Sequence, residues 1–284
     1  MDKYPGKLRA LMEAGEHFIA ADAYSAMTAR IVQRVGFKCA YLGGHACSAF
    51  HYGIPDYGLF SQVEQLDQAS RIAAAVDIPL IVDVDTLGET VADAYHIIRR
   101  YVRAGIAGIH VEDEANPKHS TFDGGLIPTV DMQARLETCV EARGDSGLVL
   151  IARCDELYKS EHRGGGTGSM EEAIARGRAY AESGADALLY PSASPEQTQE
   201  LARALPVPIF VLGPSMPGGL CTLSTGWGIS GAAQAHYERA RHLLETGKFE
   251  FNTLIEDKQQ LIDGELYDRL VTQWAKRTGR PVRK

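Results

Sequence analysis

The sequence predicts an α/β fold, specifically a (β/α)8 TIM-type barrel with extra C-terminal helices. Short apolar, β-branched runs alternate with amphipathic helical stretches along most of the 284 residues. Similar phrases recur where a helix gives way to a strand, as in VGFKCAYL, AGIAGIHV and SGADALLY. Glycine follows the helix in each phrase, where a left-handed backbone is favourable. This regular repeat favours a barrel over the alternative, a doubly wound sheet.

Seven runs have clear strand character and an eighth is weaker. The seven lie at residues 17–21, 38–42, 79–85, 108–112, 148–153, 186–190 and 208–212, and the eighth is placed near 225–230. Helical patterns lie between them, for example at residues 62–75, 91–104, 132–142, 170–183 and 195–204. Seven or eight such units in about 230 residues indicate a (β/α)8 barrel.

The remaining tail is helical and exceeds what a barrel needs. We therefore assign residues 1–230 to a barrel domain and residues 231–284 to a C-terminal helical extension. The segment IDGELYDRLVTQWAKRTG carries apolar side chains at helical spacing: Leu266, Leu270, Val271 and Trp274. Such terminal helices cover a barrel end or contact a neighbouring subunit, so we expect a homo-oligomer.

Composition narrows the class of partner. The formal net charge is −8 and the pI is about 5.6, which argues against nucleic acid and anionic membranes as ligands. No run approaches the roughly 18 apolar residues of a membrane helix, and the N-terminus lacks the apolar stretch of a signal peptide. The five cysteines are scattered without CxxC spacing, which predicts a reduced, cytoplasmic protein.

Acidic residues stand at the ends of neighbouring predicted strands. Asp83 and Asp85 end one strand, Glu112 ends the next, and Asp56 lies in the loop after the second strand. These ends meet at one mouth of a barrel, where several carboxylates would repel each other. A hard divalent cation, Mg²⁺ with Mn²⁺ as the alternative, would relieve that repulsion while using few direct carboxylates.

The alternate spacing of Asp83 and Asp85 predicts that both side chains lie on one face of their strand. For Asp85 alone, capping of the following helix is an equally good interpretation. For Asp83, Asp85 and Glu112 taken together, a metal site is favoured.

Two further strand ends suggest that the substrate bears a carboxylate. Arg153 ends the apolar run LVLIAR and can form a bidentate pair with a carboxylate, either of the substrate or of the acidic cluster. The turn after Tyr41 offers backbone N–H groups at Gly43 and Gly44 that suit an oxyanion. A plain Gly-Gly turn is the alternative and is favoured when this segment is considered alone.

Taken in order, these segments resemble the isocitrate lyase/phosphoenolpyruvate mutase superfamily. The matching pieces are DAYSAMTARIVQRVGFKCAYLGG, IPDYG, IVDVDTLG, AGIAGIHVEDE, NPK, LIARCDE and SGADALLYPS, within residues 22–192. The family pattern D-x-D-T-G-x-G is changed here, because Leu87 stands in place of the first glycine. The resemblance implies a (β/α)8 barrel with Mg²⁺ at its mouth.

The resemblance also implies roles for individual residues. It implies direct metal ligation by Asp83 and water-mediated contacts from Asp56, Asp85 and Glu112. Substrate binding is implied for Tyr41, Gly43, Gly44 and Arg153, and a tetramer whose C-terminal helices are exchanged between neighbours is implied for the assembly.

The loop after Glu112 departs from the lyases of this superfamily. Isocitrate-type lyases carry K-[KR]-C-G-H, whose cysteine is the acid/base, whereas this chain has Lys118 at the lysine and Ser120 at the cysteine position. Together with Ser192 after LLYP, this loop looks more like the mutase, phosphonopyruvate hydrolase and oxaloacetate decarboxylase branches. Isocitrate-type cleavage is therefore disfavoured.

We interpret the chain as a Mg²⁺-dependent lyase that cleaves a C–C bond in a small 2-oxo or 2-hydroxy dicarboxylate through a metal-stabilised enolate. Candidates for proton transfer are Lys118, His119, Ser120 and His45; we place Lys118 first and expect its pKa to be lowered. Residues 114–128 are expected to form a lid. The alternatives are phosphonate chemistry, as in phosphoenolpyruvate mutase or phosphonopyruvate hydrolase, and a non-catalytic metabolite-binding barrel.

Overall fold

Eight parallel strands close into a barrel in the computed structural model, which describes residues 3–122, 124–159, 164–249 and 258–282. Each strand pairs with its neighbours in chain order, and β8 pairs with β1. The strands are β1 Phe18–Asp22, β2 Cys39–Leu42, β3 Leu80–Asp83, β4 Gly108–Glu112, β5 Val149–Arg153, β6 Ala187–Tyr190, β7 Ile209–Leu212 and β8 Gly219–Ser224. The predicted fold class is confirmed.

The eighth strand was placed wrongly by the sequence analysis. Instead of residues 225–230, it is Gly219–Ser224, which pairs with β1 through Cys221, Thr222 and Leu223. The segment TGWGIS is a turn that enters a helix at Trp227. Its two glycines lower strand propensity, whereas GLCTLS supplies the alternating side chains that a barrel strand buries.

Helices alternate with the strands along the first unit and continue through the second. They are α1 Lys3–Glu13, α2 Ala26–Val35, α3 Gly44–Cys47, α4 Gln62–Ala75, α5 Val91–Arg103, α6 Thr129–Arg143, α7 Met170–Glu182, α8 Pro195–Ala204, α9 Trp227–Thr246, α10 Lys258–Leu261 and α11 Gly264–Arg277. A π-helical turn, Ser48–Tyr52, continues α3, and a 3₁₀ turn, Gly144–Ser146, follows α6.

Local sequence explains where several helices begin. Ser61 accepts a hydrogen bond from the Glu64 N–H while Glu64 accepts one from the Ser61 N–H, and Thr90 and Asp93 form the same reciprocal pair. These capping boxes account for the agreement of α4 and α5 with their predicted starts. Helix α1 was not predicted; its Leu8 is fully buried and packs against Gly108 at the amino-terminal end of the strands.

Two layers of apolar side chains form the core. One fills the barrel interior, where Phe18 and Phe210 pack edge to face with ring centroids 6.1 Å apart. The other lies between the strands and the helices and includes Val82, Leu150 and Leu188. Because side chains alternate along a strand, each strand contributes side chains to both layers. The polar residues lie at the carboxyl ends of the strands.

The chain divides into two compact units, Met1–Gly231 and Ala232–Lys284. The first contains the barrel, and the second contains most of α9 together with α10 and α11. Within the described ranges, no helix is both long enough and apolar enough to cross a membrane.

Candidate active site

A pocket of about 560 Å³ opens at the carboxyl ends of the strands. Nine of the residues predicted to act in the site line it: Tyr41, Gly43, Gly44, His45, Asp56, Asp83, His119, Arg153 and Ser192. The remaining predicted residues, Asp85, Glu112, Lys118 and Ser120, are not among its lining residues. Asp85, Glu112 and Lys118 are buried, and an ion-pair cluster links them to Asp56 and Arg153 of the wall.

The turn after β3 differs from the predicted one. Strand β3 ends at Asp83, so Asp83 and Asp85 do not share a strand face as expected. Asp85 has φ 47° and Leu87 has φ 62°, both in the left-handed region. Positive φ is costly for a side chain with a Cβ, which explains why glycine suits the position that Leu87 occupies. The bent backbone still lets both carboxylates join one cluster.

Asp83 is held as an anion by its surroundings. Its Oδ2 accepts a hydrogen bond from the Gly44 N–H at 3.1 Å, and its Oδ1 accepts one from the Asp85 N–H at 3.1 Å. Burial opposes ionisation, but His110, Lys118 and Arg153 outweigh it and lower the pKa of Asp83. Burial lowers the pKa of His110 itself to about 4, so Lys118 and Arg153 supply the positive charge at neutral pH.

Lys118 reaches into the acidic cluster from the loop after β4. Its Nζ lies 2.5 Å from Asp85 Oδ1, 2.9 Å from Glu112 Oε1 and 4.0 Å from Asp56 Oδ1. Burial alone would lower the pKa of Lys118, but these carboxylates outweigh it and raise the pKa well above its ordinary value. The expected lowered pKa of Lys118 is therefore wrong, because its ion pairs with the carboxylates favour the charged form.

Arg153 serves the cluster and also faces the pocket. Its Nη1 lies 2.7 Å from Glu112 Oε2, and its Nε donates to Asp155 Oδ1 at 3.0 Å. It also lines the pocket wall. The two interpretations left open for Arg153, a salt bridge inside the cluster and a position next to a ligand, are thus compatible.

The turn after β2 offers fewer free donors than expected. The Gly44 N–H is already bonded to Asp83, so it is not available to stabilise an oxyanion. A side chain at Gly44 would lie 3.1 Å from Asp83 and 3.2 Å from Asp56, so this glycine lets the two carboxylates approach the backbone. Tyr41 lines the pocket with its hydroxyl 3.0 Å from His110 Nε2.

The loop after β4 presents His119, rather than Ser120, to the pocket. The Ser120 Oγ donates to the Pro117 carbonyl at 2.7 Å and accepts from the Phe122 N–H at 3.0 Å, which closes a turn. His119 lines the pocket, with Nε2 3.3 Å from Glu114 Oε2. Burial acts against its charged form, but the contact with Glu114 outweighs it and raises the pKa of His119.

Sequence reasoning did not single out several pocket residues. Tyr158 lies against His119 with ring centroids 5.6 Å apart. Thr225 and Gly226 follow β8 directly, so a correct placement of that strand would have found them by the strand-end rule. The other lining residues not singled out are Pro55, Tyr57, Pro191 and Leu212.

A second layer of bonds fixes the acidic turn from behind. Arg135 of α6 donates to the carbonyl oxygens of Thr86, of Gly88 at 2.6 Å and of Glu89 at 3.0 Å. Asn116 of the loop after β4 donates to Thr86 Oγ1 at 3.1 Å.

Asp113 points away from this cluster. It accepts from the Tyr180 hydroxyl at 2.7 Å and from the Asp155 N–H at 2.9 Å. These bonds give Asp113 a structural role.

The cluster suits a hard divalent cation by its chemistry. Asp56 Oδ1 is buried without a hydrogen-bond partner among the described residues, and the neighbouring carboxylates of Asp85 and Glu112 are paired with Lys118 and Arg153. Burial raises the pKa of Asp85 to about 7, as expected for anions crowded together. Within the described part of the chain, no group of three or more acidic, histidine or cysteine residues is arranged to hold an ion directly. One direct carboxylate with a water shell is the arrangement that Mg²⁺ commonly adopts.

Comparison with known proteins identifies the lineage of this site. The phosphoenolpyruvate phosphomutase family model matches residues 8–225. The chain belongs to the phosphoenolpyruvate mutase/isocitrate lyase superfamily. A superfamily relative, 2,3-dimethylmalate lyase of Eubacterium barkeri, is 32% identical over 216 residues, covering 75% of this chain and 71% of that protein. Oxaloacetate decarboxylase of Pseudomonas putida is 31% identical over 209 residues, covering 72% and 68%.

A solved superfamily structure resembles the whole chain. Phosphonopyruvate hydrolase in complex with oxalate and Mg²⁺ has a TM-score of 0.80 and 25% identity, covering 96% of this chain and 98% of that one. The resemblance stated from the sequence motifs is therefore confirmed. The relatives of this chain include named lyases as well as phosphonopyruvate hydrolase.

Proposed function

We propose that this protein is a divalent-metal-dependent lyase that breaks a C–C bond in a small 2-oxo or 2-hydroxy dicarboxylate. The observation that carries the proposal is the cluster of Asp56, Asp83, Asp85 and Glu112 beside a pocket that Arg153 also lines. Similarity to 2,3-dimethylmalate lyase and oxaloacetate decarboxylase supports the reaction class. The Mg²⁺ and oxalate present in the phosphonopyruvate hydrolase complex support the metal and the carboxylate ligand.

Asp83 is the residue we assign to direct metal binding, with Asp56, Asp85 and Glu112 acting through water. Asp83 faces the pocket, and its pKa is lowered, so it is an anion at neutral pH. When bound, a divalent cation supplies Lewis acidity toward the carbonyl and carboxylate oxygens of the substrate. Lys118 and Arg153 hold the surrounding carboxylates in place and limit their mutual repulsion.

The protein's own groups orient the substrate. Arg153 offers a guanidinium beside the pocket, and the Tyr41 hydroxyl and the exposed Ser192 add polar contacts. His45 lines the exposed rim of the same pocket. Tyr57, Tyr158 and Leu212 add an apolar wall that favours a compact organic acid over a larger ligand.

The geometry gives less support to phosphonate chemistry. A phosphonate adds negative charge that needs its own cationic partners. Among the described residues that line the pocket, Arg153 is the one permanent cation, and it is engaged by Glu112 and Asp155. Lys118 is likewise engaged by Asp85 and Glu112. We therefore keep P–C bond cleavage as a tested alternative rather than a second proposal.

A substrate panel tests the proposal. The enzyme would be incubated with Mg²⁺ and, separately, with oxaloacetate, a set of 2-hydroxy diacids including dimethylmalate, and phosphonopyruvate, with products followed by NMR. We expect keto-acid product from one of the C4–C6 acids and none after metal chelation. Phosphate release from phosphonopyruvate alone would replace the proposal with phosphonate chemistry. Metal binding without any turnover would favour a non-catalytic metabolite-binding barrel.

We also propose a homo-oligomer built through the second unit. Helix α11 exposes a broad apolar face, with Leu266, Tyr267, Leu270, Val271 and Trp274 each at least 40% exposed. A monomer rarely leaves so contiguous a patch open to water. We expect light scattering to give several times the monomer mass and Leu270→Lys to reduce it; an unchanged monomer mass in both would refute the assembly.

A further inference from the structure

The lid loop carries three polar side chains in succession, and the structure separates their roles. Lys118 is buried with Nζ 2.5 Å from Asp85 and 2.9 Å from Glu112. The Ser120 hydroxyl is used on both sides by the turn that it closes. His119, between them, lines the pocket. Of these three, His119 is the one whose side chain is both accessible to a ligand and able to transfer a proton.

A buried carboxylate, that of Glu114, lies against both the backbone and the ring of His119. Its backbone has φ 55°, an unusual conformation for a non-glycine residue, and its N–H donates to Glu114 Oε1 at 3.2 Å. The other carboxylate oxygen, Oε2, lies 3.3 Å from the ring Nε2. Glu114 is 4% exposed, and Tyr158 packs edge-on against the ring. A base oriented by a carboxylate in this way is a recurring catalytic arrangement.

The opposite ring nitrogen is directed toward the acidic wall. His119 Nδ1 lies 4.0 Å from Asp56 Oδ2, and both residues line the pocket. With Nε2 directed at Glu114, Nδ1 is the nitrogen that can meet a substrate atom.

The alternatives at this mouth are less suitable. The Tyr41 hydroxyl is bonded to His110. The His45 ring is exposed and has no hydrogen-bond partner in the described structure to orient it.

We propose that His119 protonates C3 of the substrate after C–C cleavage, with Glu114 as its positioning residue. The inference rests on the proposed function. In decarboxylation, the C3–C4 bond breaks, CO₂ leaves, the electron pair remains on C3 and the adjacent carbonyl, and the Nδ1 proton passes to C3. In aldol-type cleavage, the C2 hydroxyl gives its proton to solvent water and forms the carbonyl of the keto acid as the C2–C3 bond breaks. The electron pair of that bond remains on C3 of the departing acid, which takes the Nδ1 proton. Neutral His119 then recovers a proton from water in both cases.

Substitution with chemical rescue tests this assignment. His119→Gly suits the left-handed backbone and leaves room for imidazole, so folding should be retained. We expect kcat to fall about 100-fold or more, KM to change little, and millimolar imidazole to restore a substantial part of the rate. His119→Gln should lose the same activity without rescue, and Glu114→Gln should show an intermediate loss. His96→Gln, an exposed histidine on α5, is the matched control and should behave as wild type.

Metal binding supplies a readout independent of turnover. Both His119 variants should bind Mn²⁺ with wild-type affinity in electron paramagnetic resonance titrations, because His119 is not assigned to the metal. Near-normal kcat in His119→Gln, or a loss in His119→Gly without imidazole rescue, would overturn the inference while leaving the lyase assignment intact. Absence of wild-type turnover on every diacid would instead overturn both.

Discussion

The Lys118 Nζ lies 2.5 Å from Asp85 Oδ1 inside the barrel mouth, and both side chains are buried. The lysine comes from the loop after β4 and the aspartate from the turn after β3, so this pair joins two segments of the candidate site. A cation placed so deeply can neutralise carboxylates that a divalent metal would otherwise balance. The relationship gives Lys118 an electrostatic role among the carboxylates, and its part in proton transfer stays a prediction.

Lys118→Met should destabilise the protein in the presence of a metal chelator by about 3–5 kcal/mol, because Asp85 and Glu112 would be left buried without their partner. Magnesium should recover more stability in this variant than in wild type, since the ion can replace the missing charge. Urea denaturation with and without Mg²⁺ measures both effects. Lys7→Met, at an exposed lysine of α1, is the control; equal Mg²⁺ responses in the two variants would refute the role.

Asp22 should make stability depend on pH. Burial raises the pKa of its carboxyl from 3.8 to about 6, against the backbone N–H groups of Gly226 and Ile229. Because the folded-state pKa is above the unfolded one, the stabilising contribution is complete below about pH 4 and is lost as the pH rises through 6. Asp22→Asn should therefore be more stable than wild type by about 1–2 kcal/mol near pH 8.

That advantage should disappear at about pH 3, where the Asp22 carboxyl is mostly protonated in the folded and the unfolded state. Urea denaturation at the two pH values gives the comparison. A variant that is less stable than wild type near pH 8 would show that the α9 terminus needs the carboxylate charge.

At position 87 the glycine variant should be more stable than the alanine variant, the reverse of the order expected inside a helix. The side chain is fully buried, so Leu87→Ala should cost about 2–5 kcal/mol. Its φ of 62° strains any residue with a Cβ, so Leu87→Gly should be about 1 kcal/mol more stable than Leu87→Ala. The matched pair is Leu136→Ala and Leu136→Gly in α6, where glycine should be the worse of the two. The same order at both sites would contradict the left-handed turn.

Arg135 should influence metal affinity from outside the pocket. Its guanidinium holds the carbonyl oxygens of Thr86, Gly88 and Glu89, directly after Asp85. Arg135→Lys keeps the positive charge but cannot donate to all three carbonyl oxygens at once. We therefore expect Mn²⁺ to bind about 10-fold more weakly. Arg103→Lys, at an exposed position of α5, should leave the titration unchanged. Equal affinities in the two variants would limit Arg135 to a stabilising role.

Much of this architecture could be predicted because local chemistry and tertiary structure agree. Helix α4 begins at a serine–glutamate capping box, and apolar strands ending in polar residues mark the barrel mouth. Nine predicted residues line one pocket because parallel strands bring their carboxyl ends together. In contrast, Gly219–Ser224 begins with weak strand formers, and its assignment depends on β1 and β7 as partners.

The parts that sequence reasoning missed depend on contacts between distant segments. The charge state of Lys118 is set by carboxylates from three other loops and strands, which its own sequence neighbours do not reveal. His119 lines the pocket and Ser120 does not, because the Ser120 hydroxyl is hydrogen-bonded within a turn of the same loop. The left-handed backbone at Leu87 could not be predicted, because the usual sequence signal for positive φ is glycine and this residue is leucine.

The central claim, that the acidic mouth binds a catalytic divalent cation through Asp83, is tested most directly by titrating Asp83→Asn with Mn²⁺ under electron paramagnetic resonance, alongside Mg²⁺-dependent turnover. Asp67→Asn, an exposed aspartate of α4, makes the same charge change away from the mouth. We expect Asp83→Asn to lose both high-affinity binding and turnover while Asp67→Asn retains both. Wild-type Mn²⁺ affinity and turnover in Asp83→Asn would contradict the claim.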